Sequence, residues 1–169
     1  MTRLGDVWSL KGVSLKNRFQ ITKAVAWATL LYGCESWTIS QKSMDKLKAF
    51  EMKCFRRMLN IPWKEKKTNA FVWRKMTEIL GEKPESVEEI IKRRKLKYYG
   101  HQMRKGAMAK VLIEGEVEGV RGRGRPRRQW EDDLREWSGG WEMERIRRAT
   151  SDRWWWWREV VQNWVHPRP

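Results

Sequence analysis

Ser86-Val87-Glu88-Glu89-Ile90-Ile91-Lys92-Arg93-Arg94-Lys95-Leu96-Lys97-Tyr98-Tyr99-Gly100-His101-Gln102-Met103 reads as one helix with a marked start. Ser86 with Glu89 three residues on is a capping box, in which each side chain satisfies a backbone N–H that the first turn leaves open. Ile90, Ile91, Leu96 and Tyr99 form the apolar side, and the helix runs to about Met103. Lys92 to Lys95 fall within one turn, so their charges fan around the axis. No acid lies between Lys92 and Lys105.

The chain before it carries three more helical patterns. Ser14 can cap a helix from Leu15 to about Leu31, with Leu15, Phe19, Ala26 and Leu30 near one face and Ile21 and Val25 widening it. Gly33 is a plausible stop. A second helix starts near Ser43, with Leu47, Phe50, Cys54 and Met58 as its stripe, and ends at Asn60-Ile61-Pro62 because the residue before a proline leaves the α region. A third fits Asn69 to Leu80, with Val72, Met76 and Ile79 inward and Gly81 and Pro84 closing it.

After Gly106 the pattern changes. Val111 to Val120 is short, alternating and interrupted by Gly115 and Gly119. Arg121-Gly122-Arg123-Gly124-Arg125-Pro126-Arg127-Arg128 has no large apolar side chain and is expected to be extended or disordered when free. A helical region follows from Gln129 to Trp137, and another from Trp141 to about Trp164, whose second half Asp152 can cap. No strand alternation is sustained. The expected fold is all-α, a small helical bundle with a basic, partly disordered C-terminal arm: a helical domain over residues 1–105, a Gly/Arg-rich linker over 106–128, and a helical, Trp-rich tail over 129–169.

Composition narrows the function. Lys and Arg total 37 against 21 Asp and Glu, a formal charge of +16 on 169 residues. Such a potential favours polyanions, nucleic acid first and anionic membrane surfaces second. No window approaches the apolar length of a membrane-spanning helix, and the charged N-terminus lacks a secretory apolar region. Cys34 and Cys54 are too few for a disulfide scaffold and read as reduced, buried thiols. With His101 and His166 as the only histidines, no zinc-site spacing exists, so no cofactor or metal site is expected. The 13 tryptophans include four in succession, Trp154 to Trp157. Successive helical side chains point about 100° apart, so one face cannot bury all four.

Several runs in order carry a resemblance: Leu31-Tyr32-Gly33-Cys34-Glu35-Ser36-Trp37-Thr38, Ala49 to Trp63, Ile91 to His101, and Glu114 to Gly119 ahead of the Arg/Gly segment and Trp130-Glu131-Asp132-Asp133. Together, over roughly residues 8 to 139, they resemble the C-terminal region of reverse transcriptases of non-LTR (LINE-type) retrotransposons. The resemblance implies that the first helices are thumb-like and that the remainder handles template RNA and target DNA. It also implies the rest of such an enzyme as partner. The run Trp154 to Trp157 departs from the family's pattern. The palm, fingers and endonuclease have no counterpart here. Reverse transcription needs magnesium held by carboxylates on strands. The sole Asp-Asp pair, Asp132-Asp133, sits in a helical, polar context and reads as a solvated or N-terminal helix face, stabilised by the helix dipole. No catalytic residue is assigned, and the chain by itself is not expected to be an enzyme.

The expected contacts to RNA or DNA are Arg56, Arg57, Lys92, Arg93, Arg94, Lys95, Lys97, Arg121, Arg123, Arg125, Arg127 and Arg128. Lys92 to Lys95 would also serve as a nuclear import signal, giving an intracellular, nuclear location. The Gly-Arg-Pro core flanked by arginine resembles an AT-hook, whose extended backbone lies in a narrow minor groove. Trp37, Trp63, Trp73 and Trp130 could stack on unpaired bases but fit core positions better. Three rival readings stand beside nucleic-acid binding: the non-catalytic portion of an active polymerase completed by another chain, a membrane-surface protein suggested by the Arg/Trp-rich end, and a non-functional relic.

Overall fold

The computed structural model describes residues 12–105, 111, 113 and 128–165. Every regular element among them is helical, as the apolar spacing predicts, and no described helix is long and apolar enough to cross a membrane. The described chain divides into two compact units, residues 12–32 with 42–88, and residues 33–41 with 89–165. The expected linker over 106–128 lies almost wholly outside the described residues.

In the first unit, α1 (Leu15–Thr22) is capped by Ser14, whose hydroxyl accepts the Asn17 N–H at 3.2 Å. It runs through a wide π-type segment, Lys23–Trp27, into α2 (Ala28–Leu30). The extra residue in the widened turn moves the inward stripe. Phe19, Thr22, Ala26, Trp27 and Leu31 are buried, whereas Ile21 and Val25, expected to widen the face, are exposed. α3 (Gln41–Met58) begins two residues earlier than the spacing suggests, and α4 (Asn69–Leu80) has the expected limits. The Thr68 side chain caps α4 on the Phe71 N–H at 3.2 Å, and Gly81 ends it at φ 84°, a left-handed conformation that glycine adopts without strain. Phe55 is fully buried and central. Its ring lies 6.1 Å from Phe19, 6.3 Å from Trp27 and 5.1 Å edge-on from Trp73. The buried Glu51 carboxylate accepts the Val87 N–H at 2.9 Å, a negative group at the positive end of α5 (Val87–Lys105).

In the second unit, α5 meets α6 (Asp132–Trp137), α7 (Met143–Ala149) and the helical stretch 153–165, which comprises α8 (Arg153–Trp155), a wide segment Trp156–Val161 and α9 (Gln162–Val165). Leu96, Tyr99, Leu134, Ile146, Trp156, Val160, Val161 and Val165 form one apolar core. Each of these aliphatic side chains contributes about 1.5–3 kcal/mol by leaving water. Leu96, Tyr99 and Met103, the apolar side of α5 from Leu96 onward, are covered by residues 130–165. Between residues 132 and 165 the tail is mostly helical, as expected, and its helices pack on this core. The single helix expected from Trp141 to Trp164 is interrupted at Ser151 and Asp152, where the Asp152 carboxylate accepts the Trp154 and Trp155 N–H groups, both at 2.9 Å.

Of the four consecutive indoles only Trp156 is buried. Its Nε1 donates to the Leu96 carbonyl at 3.1 Å, and its ring lies on α5 at Gly100. A Cβ at Gly100 would come within 2.4 Å of that Nε1. Gly100→Ala would stabilise an open helix by about 0.5–1 kcal/mol. Here it is expected to destabilise by about 1–3 kcal/mol through overpacking, read as a lower denaturation midpoint; a higher one would contradict the packing. Burial pushes the Cys34 thiol up, and that of Cys54 to about 11. In the folded protein at about pH 8 neither should react with iodoacetamide, and both should react in denaturant, because the thiolate is the nucleophile. Rapid native alkylation counted by mass spectrometry would contradict this.

Candidate nucleic-acid interface

The cations of α5 do not share one fate. The helical fan that spreads Lys92 to Lys95 around the axis carries Lys95 to the inner side, where it is fully buried. Its ammonium donates to the Asp133 carboxylate and, at 2.9 Å, to the Trp37 carbonyl, and it lies 4.2 Å from the Trp130 ring centre. Asp133 Oδ1 accepts Arg128 Nε at 3.0 Å and Nη2 at 2.6 Å, while the Ile39 N–H donates to Oδ2 at 3.4 Å. Arg128 also reaches Glu136 at 2.6 Å. Burial pushes the Lys95 ammonium below its usual range against the pull of Asp133. Hydrogen bonding from Arg128 holds the Glu136 carboxyl below its own.

The network bears on three residues. Lys95, expected as a phosphate contact, is fully buried with its charge neutralised in the interior, and Arg128 is engaged by two carboxylates. Asp133 stands in the first turn of α6, as expected, but is not solvated. It is 1% exposed, and cations occupy both of its oxygens. Asp132, in the same first turn, accepts the Gln129 N–H at 2.7 Å.

The remaining α5 cations lie outward to different degrees. Arg94 and Lys97 are exposed, while Lys92 and Arg93 are half-buried. The Lys92 ammonium is 5.8 Å from the Trp137 ring, and Arg94 Nη1 is 4.0 Å from Cys34 Sγ. Lys97, His101 and Arg104 follow one another at i, i+4 and i+7, which puts them on one side of the helix, and all three are exposed. The spacing that sets His101 and Arg104 beside Lys97 is legible in the sequence. Arg56 and Arg57 belong to the first unit. Arg56 donates to the Lys67 carbonyl at 2.5 Å and to Asn69 Oδ1 at 3.2 Å, beneath a Trp63 ring that is 85% exposed. Trp63 is therefore no core residue, unlike Trp130, whose Nε1 donates to the Glu35 carbonyl at 2.8 Å. Arg121, Arg123, Arg125 and Arg127 lie outside the described residues.

Comparison with protein-family models, with curated proteins and with solved structures finds no match. The site is thus argued from its own chemistry: exposed cations on α5, beside a buried ion pair that fixes which of the cations stay outside.

Breaking such a pair strands a buried charge. Asp133→Ala is expected to cost about 3–5 kcal/mol of stability. The double variant Lys95→Met with Asp133→Leu should cost clearly less than the sum of the two single changes. Urea denaturation of all three variants checks this; a loss under about 0.5 kcal/mol for Asp133→Ala, the size of an ordinary surface change, would contradict it.

Proposed function

We propose that this chain binds nucleic acid, RNA or DNA, as a basic all-α module held mainly by phosphate contacts. On the sequence resemblance, it is similar to the thumb and post-thumb region of a non-LTR retrotransposon reverse transcriptase and carries none of the polymerase or endonuclease catalytic residues. The observation that carries the reading is charge: +16 on 169 residues, with Arg94, Lys97, His101 and Arg104 open to solvent along α5. Phosphates take the place of the condensed counterions around such a face, and counterion release supplies affinity without reading a base.

The same reading assigns no templated synthesis to the chain alone. The carboxylates that a polymerase devotes to magnesium are represented only by Asp132-Asp133, and Asp133 is committed to Lys95 and Arg128. The nuclear location expected from Lys92 to Lys95 belongs to this proposal as well, though with Lys95 buried the signal would rest on its three neighbours.

Fluorescence anisotropy with labelled RNA and DNA between about 50 and 200 mM salt tests the proposal. Log affinity should fall linearly with log salt, by about 0.9 per phosphate contact on duplex and about 0.7 on single strands. Replacing Arg121, Arg123, Arg125 and Arg127 by Ala should flatten the duplex slope by up to about 0.9 per arginine. An unchanged slope rejects that segment as a contact. Failure to bind either polymer in dilute buffer rejects the function, and primer extension by the chain alone rejects its non-catalytic character.

A further inference from the structure

The consecutive tryptophans border a groove of about 960 Å³ within the second unit. That is near the top of the roughly 300–1,000 Å³ range of small-ligand pockets and leaves room for more than a single base. One wall is the outward side of α5, with Lys97, His101 and Arg104. The other is the start of the helical stretch 153–165, with Arg153, Trp154 and Trp157. The Asp152 cap fixes that start, and burial of Trp156 sets the rotation of its first turn, so Trp154 and Trp157, three apart, turn outward on the same side. Trp154 is 73% exposed and Trp157 38%, the latter with the Lys97 ammonium 4.3 Å from its ring centre.

Among the described residues no carboxylate lines this groove. Burial lowers the Arg104 pKa, and repulsion by Arg153 lowers it further. Among the described residues neither arginine has a carboxylate within ion-pair distance, and Arg104 is held in place by donating to the Thr150 carbonyl at 2.8 Å. Two like charges with no acid beside them, next to the open face of Trp154, fit a ligand that brings both anions and flat rings.

We propose that this groove is a binding site for unpaired nucleotides of a single-stranded RNA or DNA. Phosphates lie toward Arg104, Arg153 and Lys97, and a base stacks on Trp154. The proposal rests on the nucleic-acid-binding reading and narrows it to one strand and one place. A duplex keeps its bases stacked on one another and offers Trp154 no free face. A lipid surface would need the apolar side of the helix, which Trp156, Val160, Val161 and Val165 already bury in the core.

Anisotropy of the intact chain tests this with a labelled oligothymidylate of about 12 nucleotides, within the site sizes of single-strand binders, and a mixed-sequence duplex of equal length. Trp154→Ala should weaken single-strand binding about 10-fold and duplex binding less than about 2-fold, with Trp154→Tyr restoring most of the loss. Because Trp154 is largely exposed, an unchanged far-ultraviolet spectrum and melting midpoint should accompany the loss. Equal loss on both probes, no loss on the single strand, or no rescue by Tyr overturns the site while leaving general nucleic-acid binding in place. Failure of the unaltered chain to bind either probe overturns both. Binding to anionic phosphatidylserine vesicles that excess oligothymidylate does not displace, and that Trp154→Ala abolishes, also overturns the site.

Discussion

The Lys95 ammonium and the Asp133 carboxylate face one another where neither reaches solvent. They stand 38 residues apart in the chain, so the contact joins α5 to α6 directly. The same two side chains also hold the segment 33–41, through the Trp37 carbonyl and the Ile39 N–H. Removing two charges from water is expensive, and only excellent geometry with further hydrogen bonds offsets it. Those further bonds come from the backbone and from Arg128. The apolar core of the unit, from Leu96 to Val165, supplies most of the free energy; the ion pair selects which segments enclose it.

That selection reaches the surface. A helix as basic as α5 could turn any of its cations to a ligand, but the register that buries Leu96 and Tyr99 also buries Lys95. The same register turns Lys97, His101 and Arg104 outward. Arg128 is drawn toward Asp133 and Glu136. Beside Lys97 and Arg104 on the same side of α5, Gly100 lets Trp156 lie against the helix, which fixes the rotation of the Trp154 turn. Interior electrostatics and close packing therefore decide which cations and indoles remain for a partner.

Much of this was legible in the sequence where local chemistry decides. The limits of α4 follow from Thr68 and Gly81, the interruption near Asp152 from its capping side chain, and the exposure of most of the Trp run from helical geometry alone. Other features depend on contacts through space. A Lys in a basic run and an Asp in a polar turn look solvated until distant segments enclose them together. The wide turn at Lys23–Trp27 shifts the stripe from Leu30 to Leu31 and brings Trp27 inward, which a regular 3.6-residue repeat cannot anticipate. The groove was hidden for the same reason, since its two walls lie about fifty residues apart.

Hydrogen exchange followed by mass spectrometry on Lys95→Met, compared with the unaltered chain, tests the organising role of the pair most directly. The account predicts that residues 33–41 and 130–137 lose protection together, because both are held by the one contact. Full protection of 33–41 in the variant would contradict it.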